Sequence, residues 1–184
     1  MAGKDIKISV QNVVASVDLK TTISLEKLLR VLPDAEYEPE QFPGLVKRWA
    51  DPPAATLIFG SGKVICVGAK TRKEVNEIIS RAIKAIKKTG AKIDDSKVKI
   101  KIENIVVSAD LGMELVLDDL AFRLESSEYE PEQFPGLVHR IYDPKVAFLI
   151  FSSGRIVCAG AKTMKDVKRA IEILQKELKQ VLKK

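Results

Sequence analysis

Few residues in this 184-residue chain have the types and spacing that bond-making chemistry needs. The only histidine, His139, lies in LVHRIY (137–142) with no nucleophile motif beside it, so a surface strand position is expected. Cys66 and Cys158 sit in VICVG and IVCAG, flanked by apolar residues. Two such cysteines supply neither a disulfide framework nor a metal-ligand set, and buried free thiols in a reducing compartment are expected. Gly60-Ser61-Gly62-Lys63 has the look of a phosphate loop, but it lacks the earlier glycine and the Ser/Thr after lysine, so it reads as a hairpin turn. Glu38, Glu40, Glu130 and Glu132 sit between prolines in loops, a setting that suits solvation or a basic partner better than acid–base work. No catalytic residue, metal site or cofactor is therefore expected.

The residues that do form a pattern are built for binding. Arg48, Lys63 and Lys70 recur as Arg140, Arg155 and Lys162, and Asn12 recurs as Asn104. The block EYEPEQFPGLV stands at 36–46 and again, unchanged, at 128–138; the offset, 128 − 36 = 92, is half the chain. Between 7–92 and 99–184 roughly 40 positions are identical without a gap. One unit has been duplicated and fused, giving expected repeats at 1–92 and 93–184. A pseudo-two-fold molecule suits a nearly symmetric partner, and duplex DNA is one. The first repeat holds 16 Lys+Arg against 10 Asp+Glu, and the second holds 31 − 16 = 15 against 25 − 10 = 15, so the net charge of +6 lies in the first. That balance permits an anionic partner without requiring one.

Composition is that of an ordinary globular protein, 46% hydrophobic and 30% charged. No apolar run reaches transmembrane length, and MAGKDIKISV lacks a signal-peptide core, so no membrane role is expected.

Each repeat opens with a β-branched stretch, KISVQNVVASVD (7–18) or KIKIENIVVSAD (99–110), that reads as a strand. Next come TISLEKLLRVL (22–32) and MELVLDDLAFRL (113–124), with apolar residues at helical spacing; Ser24 is a candidate N-cap and Pro33 a stop. The duplicated loop leads into LVKRWA (45–50), ATLIFGSG (55–62) and KVICVGAK, matched by LVHRIY (137–142), VAFLIFSSG (146–154) and RIVCAGAK, a strand meander. Long amphipathic helices at 71–90 and 163–182 close the repeats. Helices on one side of a sheet make an α+β fold, and the short linker 91–96 favours one continuous sheet.

The sheet's other face is the informative one. Leu57 and Phe59 alternate with Thr56 and Ile58, and Ile65 and Val67 with Val64 and Cys66, so neither side is polar. An apolar platform edged by six matched cations marks an interaction site. The competing reading is a small-molecule binder with an apolar cavity between sheet and helices, which would need neither the repeat nor the matched cations.

The QNVVAS and ENIVVS strands, the EYEPEQFPGLV loops, the LIF hairpins and the GAKT segments resemble the TATA-box-binding protein family over nearly the whole chain. With no long extension before the core, the resemblance is to the archaeal form. It implies a pseudo-two-fold saddle: one curved antiparallel sheet of about ten strands, four helices on the convex side, and a concave face set in the minor groove. It implies wedges at Phe42, Phe59, Phe134 and Phe151. Base-edge contacts fall on Asn12, Val14, Leu57, Ile65, Val67, Asn104, Val106, Leu149, Val157 and Ala159. Phosphate contacts fall on Arg48, Lys63, Lys70, Arg140, Arg155 and Lys162. Many family members carry threonine where Val67 and Ala159 stand, so the centre of this site is more apolar. The implied role is transcription initiation at A·T-rich promoters, with transcription factor B gripping Glu130, Glu132 and Gln133, RNA polymerase as a further partner, and a weak homodimer when DNA is absent. An archaeal form implies a cytoplasmic, nucleoid-associated protein, and a eukaryotic one a nuclear protein.

Overall fold

A computed structural model describes residues 6–183. The outermost positions of the expected repeats, 1–5 and 184, lie outside the described residues. The described chain forms two compact units, one of them Asn12–Glu103. Both divisions fall inside strands, within β1 (Ser9–Asp18) and β5 (Lys101–Asp110).

In the first unit, β2 (Gly44–Ala50), β3 (Pro53–Phe59), β4 (Lys63–Ala69) and β1 are antiparallel neighbours in that order. In the second, β5, β9 (Arg155–Ala161), β8 (Lys145–Ile150), β7 (Leu137–Tyr142) and β6 (Ser127–Glu128) follow one another. Among the described residues the strands number nine rather than about ten, because the counterpart of β6 is reduced to one bridge, Glu36 to Val46.

The helices start where the sequence caps them. Ser24 accepts from the Lys27 N–H to begin α1 (Leu25–Val31), which ends before Pro33. Thr71 and Thr163 cap α2 (Arg72–Lys87) and α4 (Met164–Leu182) through the Glu74 and Asp166 N–H groups. α3 (Leu117–Arg123) starts at the position equivalent to the start of α1, although Val116 at its N-cap offers no side-chain acceptor. The expected linker holds a 3-10 turn, Asp95–Lys97.

Alternation along each strand sends one set of side chains beneath the helices. Leu45, Ile58, Val64, Cys66 and Ala69 are fully buried in the first unit with Val75, Ile78 and Ala82 of α2. Leu137, Phe148, Ile150, Ile156 and Cys158 fill the second with Val167, Ala170 and Leu174 of α4. Packed side chains thus occupy the layer where a small-molecule cavity would have to lie. Burial pushes the Cys66 thiol up to about 11 and Cys158 to about 12, as buried free thiols require.

His139 is a correction. It is 3% exposed rather than a surface residue, because residues 137, 139 and 141 point toward the helices. Its Nδ1 lies 3.0 Å from the Ser127 hydroxyl and its Nε2 2.8 Å from the Glu177 carboxylate on α4. The first repeat solves the same position differently: Lys47 is also buried, pairs with Asp34 and lies 5.1 Å from the Trp49 ring centroid. Hydrogen bonding to Lys47 holds the Asp34 carboxyl below its usual range.

Candidate nucleic-acid interface

The strand register lays out the face turned away from the helices as rungs. In the first unit Val46, Leu57 and Ile65 form one rung, and Arg48, Ala55 and Val67 the next. In the second, Val138, Leu149 and Val157 form one rung, and Arg140, Ala147 and Ala159 the next. The apolar members are half-buried although no helix covers them, and the two arginines are exposed. Val14 and Val106 are half-buried on the opening strands. Each unit therefore offers an apolar surface with cations beyond it: Lys63 and Lys70 are exposed in one, Arg155 and Lys162 in the other. Arg48 pairs with Glu36 at 3.5 Å and Arg140 with Glu128 at 3.0 Å, surface ion pairs that an incoming phosphate can displace at small cost.

The asparagines are held in one orientation. Asn12 Oδ1 accepts the Gly68 N–H at 2.7 Å, and Asn104 Oδ1 accepts the Gly160 N–H at 2.7 Å. A backbone N–H can only donate, so it fixes which end of each amide points inward. The Nδ2 groups remain as donors. An A·T pair offers the minor groove only acceptors, adenine N3 and thymine O2, whereas a G·C pair adds a donor. Two fixed donors on an apolar surface match the first pattern.

The phenylalanines are paired across each loop. Phe42 and Phe59 meet edge to face with centroids 5.7 Å apart, and Phe134 and Phe151 repeat this at 6.0 Å. Glycine makes the seat. A Cβ at Gly44 would come within 2.8 Å of Phe42 and 3.1 Å of Phe59, and one at Gly136 within 2.7 Å of Phe134 and 3.1 Å of Phe151. In the sequence these glycines stand out only as part of the duplicated loop; the signal was their fixed place two residues after a phenylalanine in both copies.

The duplicated loops fold alike. The Glu38 carbonyl accepts from both Gln41 and Phe42, and the Glu130 carbonyl from both Gln133 and Phe134. Glu38, Glu40, Glu130, Glu132 and Gln133 are exposed. The acidic tip and the phenylalanine thus belong to one turn. The differences nearest these loops in sequence, Lys47 against His139 and Trp49 against Ile141, point toward the helices and are buried or half-buried.

Two rungs, one fixed amide donor and one aromatic pair, repeated in each of two tandem copies, give a duplicated fold whose open face suits a nucleic acid. The model of the family described as transcription factor TFIID, or TATA-binding protein, matches the chain twice, over 7–89 and 99–181. The chain belongs to that family. It is 49% identical over 175 residues to the TATA-box-binding protein of Methanocaldococcus jannaschii, covering 95% of each chain. It is 45% identical over 178 residues to that of Archaeoglobus fulgidus, covering 96% of this chain and 97% of the relative. The solved structure of Methanococcus jannaschii TBP superposes with a TM-score of 0.88 at 49% identity, over 95% of this chain and 99% of that one. The relatives named are archaeal, as the resemblance implied. Among the described residues no helix is long and apolar enough to cross a membrane.

Proposed function

We propose that the chain is a general transcription initiation factor that binds A·T-rich promoter DNA in the minor groove. The repeats 1–92 and 93–184 act in this as one DNA-binding element. The observation that carries the reading is the pair of fixed asparagines, whose amide donors stand on a largely apolar, helix-free face. Minor-groove proteins, of which this family is a standard example, insert apolar wedges between base steps; Phe42 with Phe59 and Phe134 with Phe151 take that part. Wedging costs least at flexible steps such as TA, which adds to the A·T preference. Leu57, Ile65, Val67, Leu149, Val157 and Ala159, with Val14 and Val106, press on base edges, and their apolar surface has nothing to pair with a guanine amino group. Arg48, Lys63, Lys70, Arg140, Arg155 and Lys162 hold phosphates.

The chain works by binding and bending, with no catalytic step. Glu130, Glu132 and Gln133 dock transcription factor B, through which RNA polymerase is recruited. The DNA-free chain pairs weakly with a second copy through the same apolar face. Its place is the cytoplasm, on the nucleoid.

Electrophoretic mobility shifts with A·T-rich and G·C-rich duplexes at two salt concentrations test the reading. Binding selective for A·T and weakened by salt is expected. Equal affinity for both duplexes, or none, overturns it.

A further inference from the structure

The two identical loops hang on unequal bases. In the second copy β6 closes the loop with two rungs, Glu128 to Val138 and Ser127 to His139, and the Arg140 N–H donates to the Ser126 carbonyl at 3.1 Å. In the first copy only the Glu36–Val46 bridge remains, and among the described residues nothing matches the Arg140–Ser126 bond. Side chains stand where those main-chain bonds are missing. Asp34, the counterpart of Ser126, pairs with Lys47, the counterpart of His139. Lys47 is 8% exposed, and its ammonium lies 5.1 Å from the Trp49 ring centroid. The Trp49 Nε1 donates to the hydroxyl of the buried Thr56 at 3.1 Å, so the ring itself is held. A cation fixed in this way has little freedom left to lose when it takes the Asp34 carboxylate. The hydrogen bond from Lys47 accordingly keeps that carboxyl below its usual range.

We propose that Asp34 and Lys47 are positioning residues for the first-repeat wedge: their ion pair closes the base of the 36–46 loop in place of the missing main-chain bonds and so fixes where Phe42 meets Phe59. The inference rests on the DNA-binding reading above. The loop is a short, bonded path from this base to the ring, since the Glu38 carbonyl accepts the Gln41 and Phe42 N–H groups, each at 2.9 Å. A second ion pair, Glu36 with Arg48 at 3.5 Å, also spans the base, but it lies on the open face. A phosphate that takes Arg48 withdraws that tie just when the ring is driven between base steps. Lys47 points toward the helices, away from the open face, so its pair with Asp34 stays closed throughout. The second loop needs no ion pair, because main-chain bonds that no phosphate can displace close its base.

Amide hydrogen exchange by nuclear magnetic resonance on the DNA-free chain tests the anchor, with wild type, Asp34→Asn, Asp34→Glu and Lys47→Met compared. The second loop is the internal control, because the same eleven residues give it the same intrinsic exchange. In Asp34→Asn the Gln41 and Phe42 amides are expected to exchange about two- to fivefold faster, the scale of one partly exposed ion pair. Gln133 and Phe134, which make the same turn, are expected to keep their wild-type rates. Asp34→Glu keeps the carboxylate and is expected to restore most of the protection. Lys47→Met is expected to repeat the loss, and Asp34, being exposed, gives the same reading without a buried substitution. With a saturating A·T-rich duplex, Asp34→Asn is expected to bend DNA less than wild type by fluorescence transfer, a change that lowered stability alone would not produce. Wild-type exchange in Asp34→Asn, equal acceleration in both loops, or unchanged bending at saturation overturns the proposal and leaves the parent reading standing. Failure of the wild-type chain to bend the duplex removes the wedge reading itself, and the positioning role with it.

Discussion

Asn12 turns its carboxamide oxygen to the backbone N–H of Gly68, 2.7 Å away, and Asn104 does the same to Gly160. The glycines lie beside the register shifts between β1 and β4 and between β5 and β9, where the ladder is irregular and an N–H is free to face a side chain. Both have φ near +100°, at 94° and 108°, which side chains rarely adopt. An invariant spacing of 56 residues between asparagine and glycine in each copy therefore sets the polarity of each amide.

Asn104→Asp keeps the oxygen that accepts from Gly160 and replaces the outward amine with a second oxygen. That oxygen faces acceptors in an A·T minor groove, so attraction becomes repulsion. Affinity for an A·T-rich duplex is expected to fall by about 10- to 100-fold, roughly 1.4–2.7 kcal/mol, with the circular dichroism spectrum unchanged. Retained affinity in anisotropy measurements would place the amide away from the bases.

Gly44→Ala puts a methyl group within 2.8 Å of Phe42 and 3.1 Å of Phe59, and the aromatic pair must open. Phe59→Ala removes one ring of the pair without touching the buried Ile58 beside it. Both variants are expected to reduce DNA bending, read as end-to-end distance by fluorescence transfer, more than they lower the melting temperature. Phe151→Ala is expected to do the same in the second copy. Unchanged bending in all three contradicts the wedge role.

Much of this arrangement was legible in the sequence, and for a physical reason. Duplication gave every candidate an internal copy, so Asn12, Phe59 and Arg48 stood out from neighbours that had drifted. Strand alternation then assigned faces: Ile65 and Val67 lie opposite the buried Val64 and Cys66, as period two requires. What the sequence did not reveal depends on contacts between distant segments. The Gly68 N–H meets Asn12 across 56 residues, and His139 is buried because Glu177, on a helix 38 residues away, satisfies its ring. A lone polar residue in a strand of apolar neighbours cannot announce such a partner.

His139→Ala removes a ring whose two nitrogens face Ser127 and Glu177, and leaves space beneath α4. The expected cost is about 1–3 kcal/mol in denaturant unfolding. Because the ring points toward the helices, DNA affinity under native conditions should hold. A large affinity loss at unchanged stability would mean that the face assignment of β7 is wrong.

Cys66 and Cys158 are raised to about 11 and 12 by burial, so in the folded chain both remain thiols at neutral and mildly alkaline pH. Iodoacetamide at pH 8 should label neither until denaturant unfolds the chain, a result that mass spectrometry reads directly. The folded values lie above the ordinary thiol value of 9.0, so the unfolded state loses its protons first. The associated stability is full below pH 9 and is lost as pH climbs through 11 to 12. Labelling of the native chain at the rate of a free thiol would contradict the burial.

The acidic turns pose a problem of direction. Both loops carry the same eleven residues, and both close through one carbonyl, Glu38 or Glu130, that accepts two N–H groups. A basic partner reading only this turn would dock at either end. The differences nearest the loops in sequence cannot guide it directly, because Lys47 and His139 are buried beneath the helices. Exposed differences remain: Phe122, 92% exposed on α3, stands where the first repeat has Arg30, and Met113 where it has Thr21. An arginine repels a basic partner where an aromatic ring accepts one. Glu130→Arg with Glu132→Arg is therefore expected to abolish the ternary complex with transcription factor B and DNA. The same reversal at Glu38 and Glu40 should matter little, and binary DNA binding should survive both changes. Equal loss from the two pairs in a mobility shift with the partner present would show that the loops are used alike, and direction would then have to come from the DNA.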